Sequence, residues 1–157
     1  MLLMLAARQK QAGKSLDEVA AYVEETRSHL CHWFTVNDLH HLKRGGRINA
    51  ATAVVGTMLQ MKPILHVDDE GRLISKFNVR GRKASISALL DKMEELGTSF
   101  EDVCISHGDC LEEVEEMAKA IKARFGTKEV YINHVGPVIG NHTGAGVIAL
   151  FFLGKHK

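Results

Sequence analysis

The apolar positions of the chain fall into segments of two different periods, and their order gives most of the fold. Leu2, Leu3, Met4 and Leu5 open a helix over 1–12 that Gly13 stops. It begins with its apolar face formed and no cap before it, so something upstream is expected to be missing. Ser15 and Glu18 have capping-box spacing, and Leu16, Val19, Val23 and Leu30 follow at near-helical intervals, which predicts a helix from about residue 15 to 32. "FTV" reads as a short strand, with Asn37 as N-cap of a brief helix "DLHHLK" that Gly45 and Gly46 terminate.

The stretch 48–61, "INAATAVVGTMLQM", has no polar face and is expected to be a helix buried on every side. "ILHV" and "LISKFNV" flank "DDEGR", whose Gly71 suits a turn, so they form an antiparallel hairpin. Ile86, Leu89, Leu90, Met93 and Leu96 make one stripe of a helix ending at Gly97. "DVCISHGD" alternates and then turns. Asp109 and Glu112 repeat the capping-box spacing before Leu111, Val114, Met117, Ile121 and Phe125, and that helix ends at Gly126. "KEVYINHV" is a strand, "GPVIGNHTGAG" a glycine loop, and "VIALFFL" a fully buried strand. Helices, a hairpin and then β-α-β-α-β imply an α/β or α+β chain, a mixed β-sheet covered by helices.

At 157 residues, 1–157 is expected to be a single domain with one core. A net charge of +1 gives no general attraction to polyanions, and the basic clusters lack interleaved aromatics, so nucleic acid is not expected. Cys31, Cys104 and Cys110 are odd in number and lack CxxC spacing, which favours free thiols and a cytoplasmic location. The apolar start is broken by Arg8 and Lys10, too short for stable membrane insertion.

Candidate chemistry is sparse. "GKS" at 13–15 is not a phosphate-binding loop, because the glycine required five positions earlier is Arg8. The glycines at 140, 144 and 146 do not make a dinucleotide fingerprint, and no cofactor is expected. His29, Cys31, His32, His40 and His41 crowd together, but metal binding needs three or four to converge; exposed histidines are the simpler reading, and no metal is assigned. Ser106 and His107 are adjacent on an extended segment and point to opposite faces, so they form no nucleophile–base pair. The clusters around Arg44 and Arg47 and around Arg80, Arg82 and Lys83 are solvated turns or anion or protein contacts. His142 lies among glycines where a backbone can approach a ligand closely, beside a strongly apolar strand. Together with 48–61, this suits an elongated apolar ligand with one polar head.

"FTVNDLHHLKRGGRI", "KPIL" after an apolar segment, "SHGD", and "GPVIGNHTGAG" before a Phe-rich strand together resemble the C-terminal domain of the DegV family, over about residues 1–154. The resemblance implies that family's bacterial two-domain EDD fold, with the N-terminal domain absent here. It implies binding of a long-chain fatty acid and its presentation to a separate fatty acid kinase, so this chain would be no enzyme itself. His142 would bond the carboxylate, with Arg47, Gly140, Thr143 and Gly144 at that polar end. Met58, Phe151 and Phe152 would enclose the acyl chain, and Arg80 and Arg82 would meet the kinase. Ala145 stands where many relatives have proline. Two alternatives remain: a metal-binding regulator or enzyme using the cluster from His29 to His41, and a protein-docking module without a ligand. The helix 1–12 is expected to expose apolar surface and to favour self-association.

Overall fold

The computed structural model describes residues 1–37, 39–48 and 60–155. Helices α1 (Leu2–Gln11) and α2 (Leu16–His29) lead into β1 (Leu30–Thr35) and the short α3 (His40–Arg44). The hairpin β2 (Met61–Val67) and β3 (Leu73–Arg80) follows, then α4 (Arg82–Leu96), β4 (Gly97–His107), α5 (Leu111–Phe125), β5 (Glu129–His134), α6 (Pro137–Thr143) and β6 (Ile148–Gly154). Among the described residues six strands make one mixed sheet in the order β3-β2-β1-β6-β4-β5, in which only β4 and β5 run parallel. The last strand therefore returns to the middle of the sheet, between β1 and β4.

Alternation along the central strands separates two faces. Cys31, Trp33, Ile105, Ile148, Leu150 and Phe152 face α4 and α5, which contribute Leu89, Met93, Val114, Met117 and Ile121 to the larger core. Phe34, Leu65 and Val147 face the other way and gather with Val36, Leu39 and Leu42 in a smaller cluster at α3. At the far end of the sheet, Arg8 pins α1 to β4 through an ion pair with Asp102, and its guanidinium also donates to Tyr131 Oη at 3.1 Å.

Several local expectations meet tertiary competition. The Ser15–Glu18 capping box is present, with Glu18 N–H donating to Ser15 Oγ at 3.3 Å and Ser15 N–H to Glu18 Oε2 at 2.8 Å. Yet α2 stops at His29 rather than near 32, because Leu30, Cys31 and His32 pair with Leu153, Phe152 and Phe151 of β6. Asn37 does not cap α3; its amide donates to Ala145 O at 3.1 Å. Nor does Asp109 form a capping box, since Cys110 flanks α5 and its N–H goes to His107 Nδ1 at 3.3 Å. The segment 136–146 is not simply a loop: residues 137–143 are helical. β6 is not buried on both faces, because alternate residues are only half-covered.

The expectation for 48–61 falls almost wholly outside the described residues; Met61 belongs to β2. In α1, Leu5 is buried, Leu2 and Met4 are half-buried and Leu3 is exposed, so most of the apolar face is used within the chain and self-association is not supported. Among the described residues no helix is long and apolar enough to cross a membrane.

Candidate ligand-binding cleft

The connection between β5 and β6 builds the polar end of the site. Pro137 in the first turn of α6 supplies a fixed helical φ and lacks only an N–H that would be unpaired anyway. Thr143 Oγ1 donates back to Ile139 O at 2.8 Å, and Gly144 N–H donates to Gly140 O at 2.8 Å. Gly144 has φ +76°, a region other residues adopt at a cost, and it turns the chain out of the helix. Gly146 N–H then bonds Gly108 O at 2.6 Å, tying the segment to the end of β4.

α6 meets α3 through two reciprocal contacts of an imidazole on a glycine. A Cβ on Gly45 would lie 2.1 Å from His142 Nδ1, and a Cβ on Gly144 would lie 2.6 Å from His41 Cδ2. Both glycines are thus required by close approach. Arg47 joins the same point, its Nη1 donating to Gly45 O at 2.6 Å, and Arg44 Nη2 lies 3.1 Å from His41 Nδ1. His142 Nδ1 is buried and has no hydrogen-bond partner among the described residues. An imidazole nitrogen in that state is costly unless a further group completes it.

Beside this junction lies a cleft of about 280 Å³ on the sheet face that α4 and α5 leave open. Phe34, Ala149 and Phe151 form its floor, Val67 and Leu73 one side, and Ile139 and Thr143 of α6 another. The His32 ring meets Phe151 edge-on, with centroids 5.1 Å apart. His142 is not in the cleft wall but adjoins it through Thr143. Arg47 lines a neighbouring open hollow with Arg72 and Leu73, and Leu73 is common to both.

His107 and His134 stand at the ends of β4 and β5 with ring centroids 4.4 Å apart. Burial pushes the His107 pKa down from the ordinary histidine range, the neighbouring His134 adds to this, and Asp109 opposes it. The neutral His107 ring accepts the Cys110 N–H at Nδ1.

The structure brings His142, Arg47, Thr143 and Gly144 together and puts Phe151 in the adjoining cleft, with Gly140 accepting the Gly144 N–H inside α6. Phe152 points the opposite way, into the core under α4, because neighbouring strand residues alternate. Met58 lies outside the described residues. Arg80 is exposed at the end of β3, whereas Arg82 is held by Glu113, with Nη2–Oε2 at 2.7 Å. Among the described residues no three His, Cys, Asp or Glu side chains converge as metal ligands. His29 instead faces the carbonyls of Gly154 and Lys155 at 3.2 and 3.1 Å, and His41 packs on Gly144. Sequence reading missed His32, Phe34, Leu73, Val135 and Ile139; period-two alternation marks the strand positions among them, but only the topology shows which face stays open.

A family model described as "Uncharacterised protein, DegV family" matches residues 1–155. The chain belongs to the DegV family. A DegV domain-containing protein of Clostridium perfringens is 42% identical over 159 residues, covering 100% of this chain and 55% of that protein. A Thermus thermophilus DegV family protein, whose structure is described by its fatty acid binding, matches with a TM-score of 0.85 at 29% identity, over 98% of this chain and 56% of that one. The Streptococcus pneumoniae fatty acid kinase B3 protein loaded with linoleic acid has a TM-score of 0.89 at 16% identity, covering 97% and 54%, a likeness of fold. The chain therefore spans about half the length of the DegV proteins it matches.

Proposed function

We propose that this chain is a single lipid-binding domain that holds the acyl chain of a long-chain fatty acid in the cleft between α6 and the open sheet face. The carboxylate would sit where His142 and Arg47 converge on Gly45. The observation that carries this reading is the pairing of an apolar cleft with a buried His142 Nδ1 that lacks a hydrogen-bond partner among the described residues. Burial of each methylene contributes about 0.8 kcal/mol, so hydrocarbon supplies the affinity and the imidazole fixes the polar end. Fatty acid binding by the Thermus thermophilus DegV family protein, and linoleic acid on the pneumococcal fatty acid kinase B3 protein, support a fatty acid as the ligand.

The chemistry on the carboxylate is assigned to a separate fatty acid kinase, to which the bound acid is presented, and the chain itself catalyses nothing. The fatty acid kinase B3 neighbour supports that partner. Arg80 is the freer of the two candidate docking cations, since Arg82 is engaged with Glu113. The half of the relatives not spanned by this chain would supply further partners for the carboxylate.

The test is solvent extraction of the purified chain, with copurifying fatty acids quantified by mass spectrometry, followed by titration of the delipidated protein with stearate. A near-stoichiometric fatty acid supports the reading. An empty extract together with no stearate binding sinks it for this chain.

A further inference from the structure

The contact of His142 on Gly45 belongs to a longer seam between the α3 segment and the exit of α6. Among the described residues that seam holds two more contacts of the same kind: His41 rests on Gly144, and the Asn37 side chain rests on Gly146 so closely that a Cβ there would collide with its amide. Positions 37, 41 and 45 are four apart, with α3 through their middle, and positions 142, 144 and 146 are two apart where the chain leaves α6. Those spacings suit one side of a helix lying against an extended segment, and each contact needs a glycine on one partner.

The Asn37 end of the seam is also hydrogen-bonded. Asn37 Nδ2 donates to Ala145 O at 3.1 Å, and Lys62 Nζ, from the start of β2, donates to Asn37 Oδ1 at 3.3 Å and to Asn37 O at 2.9 Å. An ammonium can only donate, so it takes the amide oxygen and leaves the amide nitrogen for Ala145. From the other side, in the turn after β4, Gly108 O accepts from Gly146 N–H at 2.6 Å and Gly108 N–H donates to Val147 O at 3.0 Å. The backbone just after His142 is thereby gripped between that turn and Asn37. His142 Nδ1 has no hydrogen bond among the described residues, so the ring takes its aim from packing on Gly45 and from this backbone.

We infer that Asn37 is a positioning residue for the carboxylate site, holding Ala145 and Gly146 so that His142 presents Nδ1 at a fixed point. This rests on the fatty-acid reading above. Asn37 is not part of the cleft wall and acts on the ligand through His142. Lys62 supports it by fixing the orientation of the amide.

The delipidated chain is titrated with stearate and with the fatty alcohol of the same length, because the ratio of the two affinities separates the contact to the carboxylate from burial of the hydrocarbon. Asn37→Ala is expected to lower that ratio about three- to tenfold, part of the worth of one hydrogen bond to a charged group, and to lower it no further in a His142→Ala background. Lys62→Met is expected to act in the same direction and to a smaller extent. An unchanged ratio in Asn37→Ala, or in Lys62→Met if only that variant folds, overturns the inference and leaves the fatty-acid reading standing. An equal fall with and without His142 overturns the positioning role, since Asn37 would then act on the ligand itself. Failure of the unsubstituted chain to bind stearate overturns both readings.

Discussion

The His142 ring lies so close on Gly45 that a Cβ there would come 2.1 Å from Nδ1. Gly45 has an ordinary helical backbone, φ −78°, so an alanine would be strained by the ring alone. Gly45→Ala is expected to destabilise the chain by about 1–3 kcal/mol, the usual cost of overpacking. In a His142→Ala background the same change should cost no more than about 0.5 kcal/mol, because the obstruction is gone. Urea unfolding of the four proteins measures the coupling; additive effects would show that the two residues do not meet.

His142→Ala should weaken fatty-acid binding by about ten- to a hundredfold, the range for one hydrogen bond to a charged group. Calorimetric titration of a DegV protein carrying the matching residue, beside this chain, checks it. Fatty alcohols of the same length should be much less affected, and an equal loss for acid and alcohol would assign His142 a purely structural role.

Two buried histidines set a pH dependence. Burial pushes the His66 pKa down, with Lys76 adding to the effect and Asp68 and Asp69 opposing it; His107 is pushed down by burial and then by His134. Both fold neutral. Above the ordinary value of about 6.5 neither state is protonated, so these groups leave stability unchanged there. As pH falls through that value the unfolded chain takes up protons first, and stability drops until the folded pKa values are passed. Urea midpoints measured from pH 7.5 to 5.5 should fall, and His66→Phe should shallow the slope. A flat profile would contradict the burial of these rings.

Much of the larger core was legible, because Leu89, Leu90 and Met93 on α4 and Val114, Met117 and Ile121 on α5 repeat at helical spacing. The ends of elements were less so. Leu30 and Cys31 continue a helical pattern locally, yet a strand far along the chain takes them into its ladder, as Leu30 pairs with Leu153. Asn37 and Asp109 carry good capping chemistry, but both are used otherwise: the Asn37 side-chain amide donates to Ala145 O, and Asp109 takes φ +55° in the turn to α5. In the candidate site, the glycine setting of His142 singled that residue out, and the structure places it on Gly45 beside the cleft. The wall of Phe34, Leu73 and Val135 was not, because it exists only once β6 has entered between β1 and β4.

Arg80 and Arg82 lie two residues apart and should separate docking from structure. Arg82 makes three hydrogen bonds to Glu113 with its side chain 18% exposed, so Arg82→Ala is expected to cost about 1–2 kcal/mol of stability. Arg80→Ala should stay within about 0.5 kcal/mol, as exposed changes do. If Arg80 meets a kinase, its loss should lower transfer of phosphate to the bound acid and spare fatty-acid affinity. Equal destabilisation by both changes would show that Arg82 gains nothing from Glu113.

Phe151 and Phe152 make the sharpest internal comparison, since one strand turns them to opposite sides. Phe152 is fully buried beneath α4 with Cys31 and Met93, and its replacement by alanine should cost about 3–5 kcal/mol. Phe151 is half-buried, meets His32 and lines the groove, so Phe151→Leu should change stability by under about 1.5 kcal/mol while shifting the preferred acyl chain. Thermal unfolding and a fatty-acid binding panel on Phe151→Leu and Phe152→Leu separate the two effects. If Phe152→Leu altered lipid preference and Phe151→Leu did not, the acyl chain would lie on the α4 side of the sheet, and the cleft assigned here would be the wrong one.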